Sequence, residues 1–159
     1  LLILGTGEER YHQALRDLAK KNRDWLRVHI VFDLAVAKQM YAGSDFFLLP
    51  SFYEPCGLGQ MIALRYGTIP IVRETGGLAD TVVEYNPALG SGNGFVFQDY
   101  RAESLTDTVS RAVKVFKKKK DWQQLQQNAF ACDFSWEASA KKYVDLYQNV
   151  KPVKVRIDK

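Results

Sequence analysis

A chain of 159 residues with a net charge of +4 is long enough for one domain with a real core and too short for two ordinary ones. Its 47% hydrophobic and 25% charged composition is that of a globular protein, with no low-complexity tract and no apolar run long enough to cross a membrane. The excess lysine gathers at Lys117 to Lys120 and in a tail from Lys151 to Lys159, a pattern of solvated helix ends rather than the basic and aromatic interleaving of a nucleic-acid surface.

The opening run Leu1 to Leu4 reads as a buried strand, with no turn or cap before it, so a truncated domain is expected. Gly5-Thr6-Gly7 forms a turn, and Tyr11, Leu15, Leu18 and Ala19 fall at helical spacing within Glu8 to Lys21. Val28 to Phe32 is a second strand and Ala35 to Ala42 a short helix. Phe46 to Leu49 is a third strand, stopped by Pro50. Gly57 to Tyr66 is predicted helical, and Gly67 turns the chain into a fourth strand over Ile69 to Val72. Gly90 to Gly94 is a loop before a short strand, Phe95 to Phe97. Leu105, Val109, Ala112, Val113 and Phe116 then form an apolar helical stripe, Asp121 to Ala131 a further helix, and Trp136, Ala140, Tyr143, Val144 and Tyr147 a last one with Ser135 as N-cap. Continuous apolar strands separated by helices predict an α/β domain, a parallel sheet covered on both faces.

Ligands of such sheets bind beyond the carboxyl ends of the strands. Three loops there are unusual. Gly5-Thr6-Gly7-Glu8 is read as a tight turn, because Glu8 would repel an anion. Pro50 to Gln60 places Glu54 after a strand, followed by Pro55, Cys56 and Gly57 at a helix start whose free N–H groups suit phosphate or sugar oxygens. Glu54 either caps that helix or stabilises positive charge on a ligand. Glu74 to Asp80 carries Gly76 and Gly77, either a flexible connector or exposed backbone donors, with no structural need visible for both. His12 and His29 are isolated and neither cysteine has a partner at ligand spacing, so no metal site is expected. Cys56 and Cys132, in a sequence without a readable secretory leader, are expected to be free thiols.

At these loops the sequence resembles a known family. Ser51 to Thr68 (SFYEPCGLGQMIALRYGT) and Arg73 to Val82 (RETGGLADTV) are similar to the two C-terminal signatures of bacterial glycogen synthases and plant starch synthases. Gly94 to Phe97 and Asp133 to Trp136 add to the likeness, which runs to about Val150. The resemblance implies a Rossmann-like fold, the C-terminal half of a GT-B glycosyltransferase, over residues 1–150, lacking its first strand-loop-helix unit, with residues 151–159 a basic tail. It implies a retaining transfer of glucose from ADP-glucose to the non-reducing 4-hydroxyl of an α-1,4-glucan, with no cofactor. Glu54 would be the acidic residue beside the donor glucose. The backbone of Cys56, Gly57 and Leu58 would meet sugar hydroxyls, Gly59 the distal phosphate, and Phe32 the adenine. Thr75, Gly76 and Gly77 are candidates near the diphosphate.

Two departures from the family are informative. Ile62 stands where other retaining GT-B enzymes carry a second Glu, as expected of the synthase subgroup. Gly59 replaces a Thr or Asn common there. The family's diphosphate-gripping Arg and Lys fall upstream of Leu1, as do the N-terminal domain and its glucan acceptor site, so the isolated chain is expected to be inactive. A UDP-glucose-using transferase and a non-catalytic glucan-binding or regulatory module remain the alternatives. The resemblance places the protein in a bacterial cytoplasm, or in a plastid if the source is a plant, with neither nucleic acid nor membrane as a partner.

Overall fold

The computed structural model describes residues 1–150; the basic tail lies outside the described residues. Twelve elements follow in order: β1 (Leu2–Gly5), α1 (Glu9–Lys21), β2 (Arg27–Ile30), α2 (Leu34–Gly43), β3 (Phe46–Leu49), α3 (Gly59–Tyr66), β4 (Ile69–Arg73), α4 (Gly76–Thr81), β5 (Phe95–Phe97), α5 (Ala102–Phe116), α6 (Lys119–Ala131) and α7 (Trp136–Asn149). Among them no helix is long and apolar enough to cross a membrane.

All strand pairings are parallel, as the alternation of apolar strands with helices predicts, but the strands fall into two groups. β1 pairs with β2 (Leu2 opposite Arg27, Gly5 opposite Ile30), while β3, β4 and β5 form a separate sheet in that order. Between the groups lies a cleft of about 730 Å³, lined on one side by Leu1 to Leu4 and on the other by Phe46 to Leu48. The facing edges of β1 and β3 share no ladder, so their backbone groups on that side have no strand partner among the described residues.

The core sits in the second half of the chain. β4 is its axis, with Ile69, Ile71 and Val72 fully covered. On one face Leu64, Phe95, Ala112, Trp122, Leu125 and Ala129 close around Ile71; on the other Leu78 and Val82 pack against Val72. The predicted α5 stripe supplies Leu105, Val109 and Ala112 to the first of these clusters. Phe116 stands at its rim, edge-on to Trp122 at 4.9 Å.

Local chemistry sets the helix boundaries. Asp33 caps α2, its carboxylate accepting from the backbone N–H of Ala35 at 2.8 Å and Val36 at 3.0 Å. α3 ends at Gly67, whose φ of 75° is left-handed and whose Cβ position is filled by the Phe130 ring. Ser135 caps α7 as predicted, accepting from Ala138 N–H. On α7 Trp136, Tyr143 and Tyr147 are exposed, the apolar face expected from the sequence.

Two expectations are corrected. The α3 helix begins at Gly59, not Gly57, and its N-cap Leu58 makes no side-chain cap bond, so Glu54 does not cap it. Residues 76–81 form a helix, α4, rather than a connector. Gly76 and Gly77 have the lowest helix propensity short of proline, which hid that short element from any periodic reading.

Candidate functional site

Within each group the strands run the same way, so the turns after β1 and β2 emerge along one edge and those after β3, β4 and β5 along one edge of their own sheet. The first edge carries Thr6, Gly7 and Phe32, and the second the β3–α3 loop from Pro50 to Leu58, Thr75 with the start of α4, and Tyr100. Phe32 lies beyond the end of β2, with 77% of its surface open, a ring free to take a planar group on its face.

The β3–α3 loop is tied down from three sides. Gly77 N–H donates to Glu54 O at 3.0 Å. The Gln60 side-chain amide donates to Cys56 O at 3.1 Å and Gly57 O at 3.0 Å, and also to Thr81 Oγ1 at 3.2 Å. The Arg73 guanidinium, at the end of β4, donates to Phe52 O and to Gln98 O, the latter at 3.1 Å. Arg73 lies over the rings of Phe52 (5.8 Å) and Tyr100 (5.5 Å), which meet edge to face at 5.2 Å. The Glu54 side chain is half-buried, and among the described residues its carboxylate has neither a hydrogen-bond donor nor a cation partner. A loop held this firmly around an unpaired carboxylate has the preorganisation that electrostatic stabilisation of a ligand requires.

The structure supplies the need for both glycines that the sequence did not reveal. A Cβ on Gly76 would lie 2.0 Å from Glu54 O, and one on Gly77 2.1 Å from Cys56 O. The start of α4 is thus packed onto the backbone of the Glu54 loop, and Gly77 N–H is already used there. Gly59 has a related reason: a Cβ would come within 3.0 Å of the Phe47 ring and 3.2 Å of Tyr41 Oη. Thr75 is half-buried at the N-cap of α4 without a side-chain cap bond. Glu54, Cys56, Gly57, Leu58, Gly59, Gly76 and Gly77 are therefore one cluster. Phe32 stands apart from it, on the loop after β2 in the other strand group.

Sequence reasoning assigned no role to Gln60, Arg73, Thr81 or Tyr100. Arg73 at a strand's carboxyl end and Gln60 on the first turn of an otherwise apolar helix face were the available signals. Both cysteines are free thiols; Cys132 Sγ accepts from Asn93 Nδ2 at 3.2 Å.

A parallel α/β domain with a stapled, glycine-rich loop at its strand ends is Rossmann-like, and its likeness to the catalytic domain of a starch synthase identifies it as the C-terminal half of a GT-B glycosyltransferase fold. The family described as "Glycosyl transferases group 1" matches residues 1–129, and the chain belongs to it. It is 50% identical over 149 residues to a glycogen synthase of Kosmotoga olearia, covering 94% of this chain and 31% of that protein. It is 52% identical over 147 residues to a glycogen synthase of Thermosipho africanus, covering 92% of this chain and 30% of that protein. Among solved structures, the catalytic domain of starch synthase IV from Arabidopsis thaliana, bound to ADP and acarbose, is 34% identical with a TM-score of 0.80, over 92% of this chain and 31% of that one. Sucrose-phosphate synthase from Thermosynechococcus elongatus shares the fold at 22% identity and a TM-score of 0.64, over 93% of this chain and 37% of that one. The chain thus spans about 31% of the length of the glycogen synthases it matches.

Proposed function

We propose that the chain is the nucleotide-sugar-binding part of a retaining α-1,4-glucan synthase using ADP-glucose, and that it does not catalyse alone. The observation that carries this reading is the unpaired Glu54 carboxylate on a loop fixed by Gly77, Gln60 and Arg73. In the proposed reaction the bond from the glucose anomeric carbon to the diphosphate oxygen breaks. A new bond forms to the 4-hydroxyl of a glucan, whose proton is lost, with retained configuration. Glu54 stabilises positive charge developing near the anomeric carbon. The N–H groups of Cys56, Gly57 and Leu58 meet the sugar hydroxyls, those of Gly59, Thr75 and Gly76 lie towards the diphosphate beside Gly77, whose own N–H stays on Glu54 O, and Phe32 stacks on the base. The ADP in the Arabidopsis relative supports the choice of nucleotide.

The cleft supports the further reading that residues 1–150 are a domain without its first strand-loop-helix unit. In the doubly wound order 3-2-1-4-5-6, the sequence β2-β1, gap, β3-β4-β5 leaves open the place of the strand that precedes β1. A parallel strand from polypeptide outside residues 1–159 fits there, joined to β1 by a right-handed crossover. The loop after that strand would open on the same edge, the place for cations to neutralise the leaving diphosphate. The glucan acceptor would come from a second domain across that edge.

The test is calorimetric titration of ADP, ADP-glucose and UDP-glucose into the chain and into a Glu54→Ala variant. ADP-glucose should bind at least about tenfold more tightly than ADP, the gain of a hydrogen bond or two to a charged group. That margin should vanish in the variant, and UDP-glucose should bind more weakly than ADP-glucose. Equal binding of ADP and ADP-glucose would overturn Glu54 as a sugar contact. Elongation of glucan by the isolated chain would overturn the claim that it is inactive.

A further inference from the structure

Gln60 is fully buried on the first turn of α3, yet its Oε1 has no hydrogen-bond partner among the described residues. Its amide orientation is fixed by its neighbours. Thr81 Oγ1 donates to Gly77 O at 2.7 Å and so can only accept from Gln60. With Cys56 O and Gly57 O also at hand, the amide must turn its NH₂ towards three acceptors and leave its oxygen unserved. A buried polar atom left unpaired is a rarity that calls for a compensating use.

That use lies in the geometry of the peptide plane. All peptide bonds are trans, so each carbonyl points opposite to the N–H of the next residue. Drawing Cys56 O and Gly57 O inward onto Gln60 aims the N–H groups of Gly57 and Leu58 the other way. Neither N–H has a protein acceptor among the described residues. The tie from Glu54 O to Gly77 does not add a third such donor, because the next residue is Pro55. We infer that Gln60 is the positioning residue of the site: its buried amide holds two successive backbone donors outward, ready for the hydroxyls of a hexose carried on a nucleoside diphosphate. Thr81 and Gly77 back it from α4, which makes that short helix part of the sugar-binding apparatus. This inference rests on the proposed function for the identity of the ligand, and on the hydrogen-bond geometry alone for the role of Gln60.

The test uses ¹⁵N-labelled chain with Gln60→Met, which keeps the length of the side chain and removes its donors, and Gln60→Glu, which keeps the shape and sets an acceptor against the carbonyls. Without ligand, backbone relaxation should give order parameters near 0.85 for Gly57 and Leu58 in the parent and below about 0.6 in both variants, while resonances of β4 and α6 stay in place. Unchanged order at Gly57 and Leu58 in both variants would overturn the inference. A merely structural role would instead disturb the spectrum throughout.

The parent and variants are then titrated with ADP and ADP-glucose. ADP-glucose, but not ADP, should shift the Gly57 and Leu58 amides, and the variants should lose that response at least about tenfold while keeping the ADP response. Variants that retain the parent's preference for ADP-glucose would overturn the role in sugar binding. A parent whose loop order depends on Gln60 but whose Gly57 and Leu58 amides ignore ADP-glucose would refute the proposed function and leave the positioning role of Gln60 standing.

Discussion

Gly77 has no side chain because the Cys56 backbone occupies the space one would need. The carbonyl oxygen of Cys56 stands 2.1 Å from the Cβ position, with its carbonyl and α carbons at 2.6 Å. These are main-chain atoms, which cannot turn aside as a flexible side chain would. A Gly77→Ala substitution must therefore push α4 and the Glu54 loop apart, at the cost usual for overpacking, about 1–3 kcal/mol. For a domain of this size that lowers the melting temperature by roughly 3–10 °C. Gly43, whose Cβ position has nothing within 4 Å, is the control: Gly43→Ala should leave melting unchanged or raise it slightly. Thermal denaturation of the two variants side by side checks both. The same residue shows what sequence could not disclose. The motif around Gly76 and Gly77 was legible, but its cause is contact with the Glu54 loop from another part of the chain, which no local pattern records. Glu54 and the backbone at the start of the next helix were legible as candidates because they follow a strand, whereas Phe32, read as the end of a strand, and Gly59 were candidates only through the family resemblance. Gln60 was not, since a lone amide among apolar neighbours looks like any partly buried polar residue until its acceptors are known.

At the scale of elements, apolar periodicity or a capping side chain made a boundary readable: α1, uncapped at Glu8, was still read from Glu8 to Lys21 by its spacing. Ser135 announced α7 by its capping chemistry, whereas the Asp33 cap of α2 was not read and that helix was placed one residue late, at Ala35. The α3 and α4 helices begin with no side-chain cap, at Leu58 and Thr75, and were misplaced or missed. The entry to α7 carries a pH prediction. Asp133 Oδ1 accepts from the Ser135 backbone N–H at 2.9 Å. Hydrogen bonding to Ser135, side chain first and backbone second, holds the Asp133 carboxyl below its ordinary value. A folded value below the unfolded one of about 3.9 means that the ionised group supports the turn above about pH 4. That support is lost as the pH falls through the lower, folded value. The Ser135 amide resonance should accordingly titrate with a midpoint below about 3.9, and Asp133→Asn should flatten it. A midpoint at or above the ordinary value would show that the turn does not favour the charged form.

Across the whole molecule, burial is lopsided. Among residues 1–59 only Leu26 is buried, whereas β4, β5, α5 and α6 surround a continuous core. The β1–α1–β2 unit has one ladder of its own, and the cleft separates it from β3. Parallel alternation was plain in the sequence, but the interruption of the sheet was not, because β1 and β3 read equally well as buried strands whatever stands between them. Stability follows the buried area that each segment shares with the rest, so the two halves should not open together. In native-state hydrogen exchange the amides of Ile71 and Val72 should open only with global unfolding. Those of β1 and β2 should exchange through a smaller, cheaper opening, at least about tenfold faster, or about 1.4 kcal/mol lower in opening free energy. Denaturant distinguishes the two routes, since global opening exposes more surface and depends more steeply on its concentration. If β1 and β2 exchange with the same free energy and the same denaturant slope as β4, the two strand groups form one cooperative unit and the cleft is not a break in the sheet. If they open separately, a longer polypeptide that places a strand in the cleft should raise their protection to that of β4. The edge that carries Phe32 would then be fixed to the edge that carries Glu54.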